Sequence, residues 1–495
     1  MNRAAWVRRG WVLLLEDRCV AYNFVVGDRD QLLLMPPSVR DWLPAGHLAW
    51  FVLDVVAELD LSAFLARYRR DGRGGAAYDP QVMLAVLVYG YCVGERSSRR
   101  IEQRLVEDVA FRVVAANQQP DHATIARFRA EHQDAIAGLF GQVLAVCSRA
   151  GVLRPGLVAI DGTKLAANAS MAANRTAEQL ATQILAEAAA TDAAEDAEDA
   201  AAKDGGQDPL GDLGSGVGRR ERLRAMLAEL EDEAAQRSYE AHLARREERE
   251  AATGRALPGR RPSPTSSRHQ SRRQANVTDP DSRLMKSRQG YLQGYNAQAV
   301  ATIDQFVLAA QVTNVGVDAP SYPVMVGATK ANLKAAGERR RVRRVLADAG
   351  YWSKDNAALP AVESFIATGK RRQLRTIAET DTTRAEVIDA VQAGDLDIAQ
   401  AAQQLGLAPA YVRQLLRRRR AGDPDTARTA MAAKLDTTQG RSTYRKRAAS
   451  IEPVFAQVKH NRGIRSLSRR GLAAADSEWK LICATHNLLK LHRRR

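Results

Sequence analysis

Apolar residues recur every three or four positions through residues 35–150, which predicts a region built from helices. Residues 48–59 are apolar with this recurrence. Asp79 and Pro80 have the form of a helix start, with Asp as the N-cap and Pro at the first helical position. Residues 97–117 carry one apolar stripe, formed by Ile101, Leu105, Val109 and Val113. The pattern predicts an all-α N-terminal domain of four or five helices.

After residue 151 the pattern changes to short apolar or alternating runs, which predict β-strands. The strands are predicted at residues 157–160, 294–302, 305–313, 342–347 and 363–368. The predicted order is β, β, β, α, β, α, β, with the first helix at 323–336. The second and third strands are separated by a short turn and are expected to pair in antiparallel fashion. This order of elements predicts an α/β layer with a mixed sheet.

Two long interruptions divide this layer, at about 168–289 and 369–440. In the first, residues 176–202 hold seven acidic and no basic side chains, and residues 219–250 read as a charged helix. Residues 255–288 hold nine Lys or Arg against two Asp and are expected to be loosely ordered.

The second interruption contains the pattern of a helix-turn-helix unit over residues 398–416. Ala402 is small where two helices cross, Gly406 makes the turn and Val412 anchors the second helix. The outward-facing polar residues of that second helix could then contact base edges or phosphates. They include Arg413, Gln414 and Arg417. An ordinary helical hairpin shows a similar pattern, and this alternative stays open.

The charge balance favours an anionic partner, either nucleic acid or an anionic membrane surface. The 495 residues include 73 Lys and Arg against 57 Asp and Glu, a net charge of +16.

Four scattered cysteines without a C-x-x-C pair argue against a zinc knuckle and a disulfide framework. The apolar stretch 80–94 is too short to span a membrane. The chain is therefore expected in the cytoplasm.

Three acidic residues are the candidates for chemistry. Asp161 is expected to end the first strand and Asp348 a later one, so both could meet at one edge of the sheet. Glu452 lies in residues 438–495, which hold 14 Lys and Arg and only three acids. Pro453 is expected to mark a helix start, with Lys459 two turns further on the same face. Three carboxylates can hold two Mg²⁺ for phosphodiester chemistry, although a lone strand-end Asp is more often a cap or turn residue.

Stretches along most of the chain resemble bacterial insertion-sequence transposases of the DDE type, in particular the insertion-sequence family numbered eleven eighty-two. The matching stretches are residues 31–38, 79–91, 97–102, 120–129, 161–164, 275–283, 294–298, 347–351, 452–455, 470–472 and 486–488. The resemblance implies an RNase H-like core behind a helical N-terminal domain. It also implies that Asp161, Asp348 and Glu452 hold two Mg²⁺ (or Mn²⁺) ions.

The wider group carries a Tyr-x2-Arg-x3-Glu-x6-Lys signature around the last acid. Lys459 fits this spacing and is expected on a DNA phosphate, as is Lys164 beside the first acid. Tyr444 and Arg447 fit each other, but four residues rather than three separate Arg447 from Glu452. One extra residue turns a helix by about 100°, which leaves open whether Tyr444 and Arg447 lie on the catalytic helix or before it.

The resemblance predicts a transposase that hydrolyses phosphodiester bonds at terminal inverted repeats and transfers the freed strand into target DNA. It is expected to act as a homodimer on double-stranded DNA at the bacterial nucleoid, without a membrane partner. The alternatives are a non-catalytic DNA-binding regulator from a decayed element and an RNase H-like structure-specific nuclease.

The predicted domain division has six parts. They are an all-α DNA-binding and assembly domain (35–150), the first part of the catalytic core (151–170), a charged helical insertion (171–290), the central core (291–369), an insertion with the helix-turn-helix (370–437), and the C-terminal catalytic helix with a basic tail (438–495).

Overall fold

The computed structural model describes residues 38–68, 77–176, 274–287, 290–369, 394–420 and 426–494. It also describes residues 14–15 and 18–19 and short helical pieces within 179–186, 239–250 and 386–393. Residues 219–238 of the predicted charged helix and most of the acidic stretch at 176–202 lie outside the described residues, as do residues 31–37.

Helices dominate the described residues up to 150, where a 3₁₀ turn at Val39–Asp41 comes first. The α-helices are α1 (Leu48–Ala57), α2 (Ser62–Leu65), α3 (Pro80–Val93), α4 (Ser98–Glu107), α5 (Val109–Val114), α6 (His122–Glu131) and α7 (Gln133–Arg149). The helix start at Asp79 is confirmed, because its side chain accepts a hydrogen bond from Gln81 N. The single helix predicted at 97–117 is wrong. Asp108 ends α4 and caps α5 by accepting from Ala110 N.

A mixed sheet lies at the centre of the molecule. Its strands are β3 (Leu157–Ala166), β6 (Arg283–Ser287), β7 (Gly290–Thr302), β8 (Val307–Thr313), β9 (Arg344–Ala347) and β10 (Glu363–Ile366). The order is β10-β9-β3-β7, and β6 and β8 pair with successive halves of β7. β9 runs parallel to β3 and to β10, while the β3–β7, β6–β7 and β7–β8 pairs are antiparallel, which confirms the predicted β7–β8 pair.

The expectation that Asp161 ends its strand is wrong. β3 continues to Ala166 because β7 pairs with it along nearly its whole length, from Val158–Thr302 to Ala166–Gly294. Asp161 therefore lies in the middle of a strand. A partner strand located some 130 residues later in the chain stabilises the extension, so the local pattern gave no sign of it.

Residues 274–287 are also more regular than predicted. A short strand, β5 (Gln274–Asn276), pairs with β4 (Asn174–Thr176), so the two sides of the first interruption meet in a ladder. The Asn276 side chain accepts from Thr278 N and Asp279 N and donates to Ser170 O. These hydrogen bonds fix a turn after Asn276, where the sequence predicted a loosely ordered segment. Near the N-terminus, β1 (Leu14–Leu15) pairs with β2 (Arg18–Cys19).

Further helices are described after residue 320. They are α8 (Ser321–Ala335), α9 (Lys354–Ala357), α10 (Ile398–Leu405), α11 (Pro409–Arg420), α12 (Thr426–Asp436), α13 (Thr438–Ala456) and α14 (Leu472–His492), with 3₁₀ turns at Met171–Ala173 and Ala349–Tyr351 and a π-helical turn at Gln457–Asn461. In the described part of the chain, no helix is both long enough and apolar enough to cross a membrane.

The predicted helix start at Glu452 is wrong, because Pro453 lies inside α13. Thr437 caps the helix by accepting from Gly440 N. Proline lacks an N–H and so leaves the carbonyl four residues earlier without its helical partner. Here the Gln305 side chain donates to that carbonyl, on Ala449, at 3.1 Å. The tight turn between β7 and β8 thus compensates for a proline in a distant helix.

One hydrophobic core joins the N-terminal helices to the sheet, and α14 lies at its centre. Arg462 is buried and donates to Tyr91 O on α3 and to Ile482 O and Thr485 Oγ1 on α14. Glu478, whose side chain is fully buried, pairs with Arg96 at 2.7 Å. Helices far apart in sequence are therefore fixed to each other by buried charged groups as well as by apolar packing.

His486 provides a test of this packing. It is buried on α14 with Nε2 against Gln305 O, and burial together with the Arg462 charge lowers its pKa to about 3. An unfolded chain takes up this proton near pH 6.5, so the stability that neutral His486 contributes is present above that pH and is lost as the pH falls toward about 3.

We expect the wild-type melting temperature to fall more steeply between pH 6.5 and 4.5 than that of a His486→Leu variant. His460→Gln, at an exposed position, is the control. Parallel pH profiles for the wild type and His486→Leu would contradict this explanation.

Candidate active site

Two acids lie side by side on the sheet because of the β3–β9 register. Leu157 pairs with Arg344 and Ala159 with Leu346 in parallel. Asp161 and Asp348 each lie two residues beyond the last of these pairs. Because side chains two residues apart share a face of a sheet, both carboxylates lie on the same face. Asp348 directly follows β9, as predicted, and caps the next turn by accepting from Gly350 N at 2.9 Å.

The site of Asp161 is unfavourable for an isolated carboxylate. Burial, together with the negative charge of Asp348, raises the pKa of Asp161 to about 6. Two bonds favour the ionised form: Gly162 N donates to Oδ1 at 2.8 Å, and Arg447 donates to Oδ2 at 2.9 Å. The arrangement therefore concentrates negative charge that a cation can neutralise.

Arg447 supplies that positive charge in the structure. It lies on α13, which packs on β3, β7 and β9. Its second guanidinium nitrogen is 3.3 Å from Glu452 Oε1, so a single side chain bridges Asp161 and Glu452. Tyr444, three residues earlier on α13, donates to Ala347 O at 3.2 Å. The question left open by the spacing is thus resolved, since Tyr444 and Arg447 both lie on the helix that carries Glu452.

Glu452 is the most exposed of the three acids, with 58% of its side chain accessible. It extends toward Arg447 and makes no described contact with Asp348. Across the described ranges, no three His, Cys, Asp or Glu side chains are close enough to hold a single metal ion as they stand. The structure brings Asp161 and Asp348 together and connects Glu452 to them through Arg447.

Lys459 lies in the π-helical turn that follows α13. The turn directs this half-buried side chain toward the sheet, where Nζ donates to Lys164 O at 2.9 Å. Burial and the nearby Arg465 charge lower the pKa of Lys459. Lys164 itself extends along β3 to Gly316 O at 2.9 Å and to Asp318 at 3.5 Å. Lys164 thus lies on the strand that carries Asp161, and Lys459 contacts the backbone of that strand.

A buried polar network lies on the other face of β3. Asn296 and Gln298 pair across the strands with Lys164 and Gly162, and both amides donate to Asp318 Oδ1, at 2.7 and 2.9 Å. Tyr351 donates to Gln298 Oε1. Burial and the charges of three aspartates, with Asp318 the strongest, raise the pKa of Tyr351.

Asp318 is a site residue that the sequence did not single out. The only local signal is its place in the turn just before α8. Its second carboxylate oxygen and Asp348 Oδ1 both lie 3.1 Å from the position that a Cβ would take on Gly350. A fourth carboxylate is therefore present at the same edge of the sheet.

Gly162 is required by this network. A Cβ at this position would lie 2.3 Å from Gln298 Nε2 and 2.9 Å from both Asn296 Oδ1 and Asp318 Oδ1. Asn296 is fully buried, and its Oδ1 has no hydrogen-bond partner within the described part of the chain. The three polar side-chain atoms thus lie close to the backbone of Gly162, the residue next to Asp161.

The predicted helix pair of the second interruption is present as α10 and α11. Asp397 and Gln400 form a capping box on α10, and Gly406 turns the chain with a left-handed φ of 62°. Ala402 and Val412 are buried in a small core of their own. Arg413 is exposed, while the side chains of Gln414 and Arg417 lie outside the described residues.

We expect Gly162→Ala to lower the melting temperature, because the new methyl group would push apart the buried Asn296 and Gln298 amides that donate to Asp318. Overpacking of this kind costs about 1–3 kcal/mol. Gly141→Ala is the control. Gly141 lies inside α7 with no atom within 4 Å of its Cβ position, so alanine there should leave the melting temperature equal or higher. Equal melting temperatures of Gly162→Ala and the wild type would contradict the close approach of Gln298, Asn296 and Asp318 to Gly162.

Comparison with known proteins places this geometry in context. The model of a transposase domain (DUF772) matches residues 37–131, and the model of a transposase DDE domain matches residues 413–492, the segment that holds Arg447, Glu452 and Lys459. No curated protein and no solved structure matches the chain. The mixed α/β architecture agrees with these matches. Together the two matches support an insertion-sequence transposase of the DDE type.

Proposed function

We propose that the chain cleaves phosphodiester bonds at the terminal inverted repeats of its element and joins the freed 3′ end to target DNA. The observation that carries the proposal is the side-by-side position of Asp161 and Asp348, with Glu452 linked to them through Arg447. Such a cluster is costly to bury and has no role in simple DNA binding.

The sheet supports an RNase H-like core as part of the proposal. β3, β7 and β8 follow one another as an antiparallel meander, and β9 and β10 add in parallel on the far side of β3. The first acid lies on the central strand and the second follows its parallel neighbour. Membership of the family numbered eleven eighty-two stays a prediction.

The chemistry of the donors suits Mg²⁺ or Mn²⁺. Every candidate ligand is a carboxylate oxygen, the type that Mg²⁺ prefers, and the Arg447 guanidinium already occupies the position of a cation between two of them. Asp161, Asp348 and Glu452 would hold the metal, which in a two-ion site stabilises both the attacking and the leaving oxygen.

The basic side chains around the acids would hold the DNA. A guanidinium can bind two phosphate oxygens at once, so we assign Arg447 to a phosphate once its carboxylate partners bind metal. Lys164, on β3 itself, and Lys459, whose Nζ contacts the β3 backbone, would contact the neighbouring backbone phosphates. Tyr444, held by Ala347 O, would position Arg447 beside Asp161.

Recognition of the DNA ends would come from other parts of the chain. We assign the α10–α11 pair to the terminal repeats as a helix-turn-helix, with Arg413, Gln414 and Arg417 on its second helix, and the N-terminal helices to end binding and assembly. Paired ends require two active sites, so a homodimer on double-stranded DNA is the proposed form. The chain would act at the nucleoid in the bacterial cytoplasm.

A non-catalytic regulator is the second candidate. In its favour, Arg447 occupies the space between Asp161 and Glu452, and no described set of three acids converges. A cleavage assay with Mg²⁺ on DNA carrying the element ends separates the two functions. A structure-specific nuclease would cleave but would not transfer strands to a target.

Asp161→Asn and Asp348→Asn should each reduce strand cleavage by about 10³-fold, because an amide removes the negative charge that would hold the metal ion, and with it the stabilisation of the transition state. Binding to the element ends should change little. Asp355→Asn, on exposed α9 a few residues away, is the matched control and should cleave normally. Full cleavage by the Asp348→Asn protein would contradict the assignment.

Arg413→Ala should weaken binding to a duplex carrying the terminal repeat by about 10-fold while affecting a scrambled duplex less, since a bidentate base contact is worth about 1–3 kcal/mol. Fluorescence anisotropy at constant salt measures both affinities. Gln404→Ala, exposed on α10, is the control. An equal loss on both duplexes would rule out base recognition by Arg413.

A further inference from the structure

A basic cleft lies at the end of the sheet opposite to the carboxylates. It has a volume of about 1000 Å³ and forms where β3 and β9 begin. Five arginines line it: Arg154, Arg339, Arg340, Arg341 and Arg343. Glu363 is the one acidic side chain in this lining, which otherwise consists of apolar residues and backbone.

The acidic groups near the cleft are already neutralised. Glu338 holds Arg340 through two hydrogen bonds of 2.9 and 2.8 Å. Glu363 is paired with Arg344 at 2.9 Å and with Lys434 at 3.1 Å. Arg339, Arg341 and Arg343 are exposed and have no carboxylate partner among the residues that the structure describes. The cleft therefore has a net positive charge, carried by exposed side chains that a ligand can reach.

The backbone that carries these arginines is fixed to the sheet. Arg343 N and Arg344 N both donate to Gly156 O at 3.1 Å, and Glu363 N donates to Arg343 O at 2.7 Å. Val342, between two exposed arginines, is buried. Because the segment is already ordered, a ligand would not have to bear the cost of ordering its backbone.

The position of the cleft separates it from the proposed active site. β9 is four residues long, about 13 Å, with Arg343 before it and Asp348 after it. A phosphate held at Asp161 and Asp348 is out of reach of these arginines. The positive charge here therefore does not serve to balance the catalytic acids.

We propose that this cleft binds the phosphate backbone of a duplex DNA segment distinct from the one at the carboxylates, without reading its sequence. Guanidinium groups suit phosphate recognition. The lining contains no aromatic side chain on which an unpaired base could stack, which favours a duplex over a single strand. The inference rests on the proposed function only in taking DNA as the substrate.

The test compares the full-length wild type with an Arg341→Gln/Arg343→Gln double variant. A 30-base-pair duplex without element ends is titrated by fluorescence anisotropy from 50 to 300 mM KCl. Losing two phosphate contacts should weaken binding and reduce the slope of log K against log salt by about 1.8. Lys330→Gln/Lys334→Gln, at exposed positions of α8, removes the same charge as a control and should change the slope much less.

The outcomes are distinguishable. If the wild type binds the duplex and the double variant keeps its affinity and slope, or matches the control pair, the inference fails while the proposed function stands. If the wild type binds neither this duplex nor one that carries the element ends, both fail; if it binds only the duplex with the element ends, the inference alone fails. A loss confined to a single-stranded probe of the same length overturns the choice of partner. Equal melting temperatures of all the proteins exclude an effect of misfolding.

Discussion

The parallel register of β3 and β9 is the constraint on which the site depends. It places Asp161 and Asp348 side by side on one face, where burial and mutual repulsion oppose ionisation. Arg447 offsets that charge directly by donating to Asp161 Oδ2 at 2.9 Å. A shift of one residue in this register would move one acid to the opposite face and remove the cluster.

The helix that completes the site is stabilised by groups far away in the sequence. Pro453 interrupts α13, the Gln305 side chain satisfies the freed carbonyl of Ala449, and Lys490 on α14 donates to the same Gln305 side chain at 2.9 Å. α14 in turn packs against α3 and α7. The two segments matched by transposase models, one N-terminal and one C-terminal, thus share one core, so the N-terminal helices are positioned directly by the helices that carry the site.

Local signals in the sequence were sufficient for features with local causes. The cap at Asp79, the turn at Gly406 and the position of Asp348 each follow from a few neighbouring residues. The length of β3 depends on its distant partner β7, and the helix around Pro453 receives a hydrogen bond from the distant Gln305 at Ala449 O, so the end of β3 and the start of α13 were predicted wrongly. Asp318 was missed because its network with Asn296 and Gln298 forms only when a turn and a strand from separate segments meet on Gly162.

Clustered carboxylates repel the phosphates on which they are proposed to act, so affinity for DNA must arise elsewhere in the molecule. Until a metal ion is bound, Arg447 is largely neutralised by Asp161 and Glu452, and Lys459 donates to a backbone carbonyl. Arg339, Arg341 and Arg343, at the opposite end of the same strands, are exposed and have no carboxylate partner among the described residues. In the proposed function, a sheet with acids at one end and exposed guanidinium groups at the other would separate the holding of DNA from its chemistry, so a duplex could bind before the reactive phosphate enters.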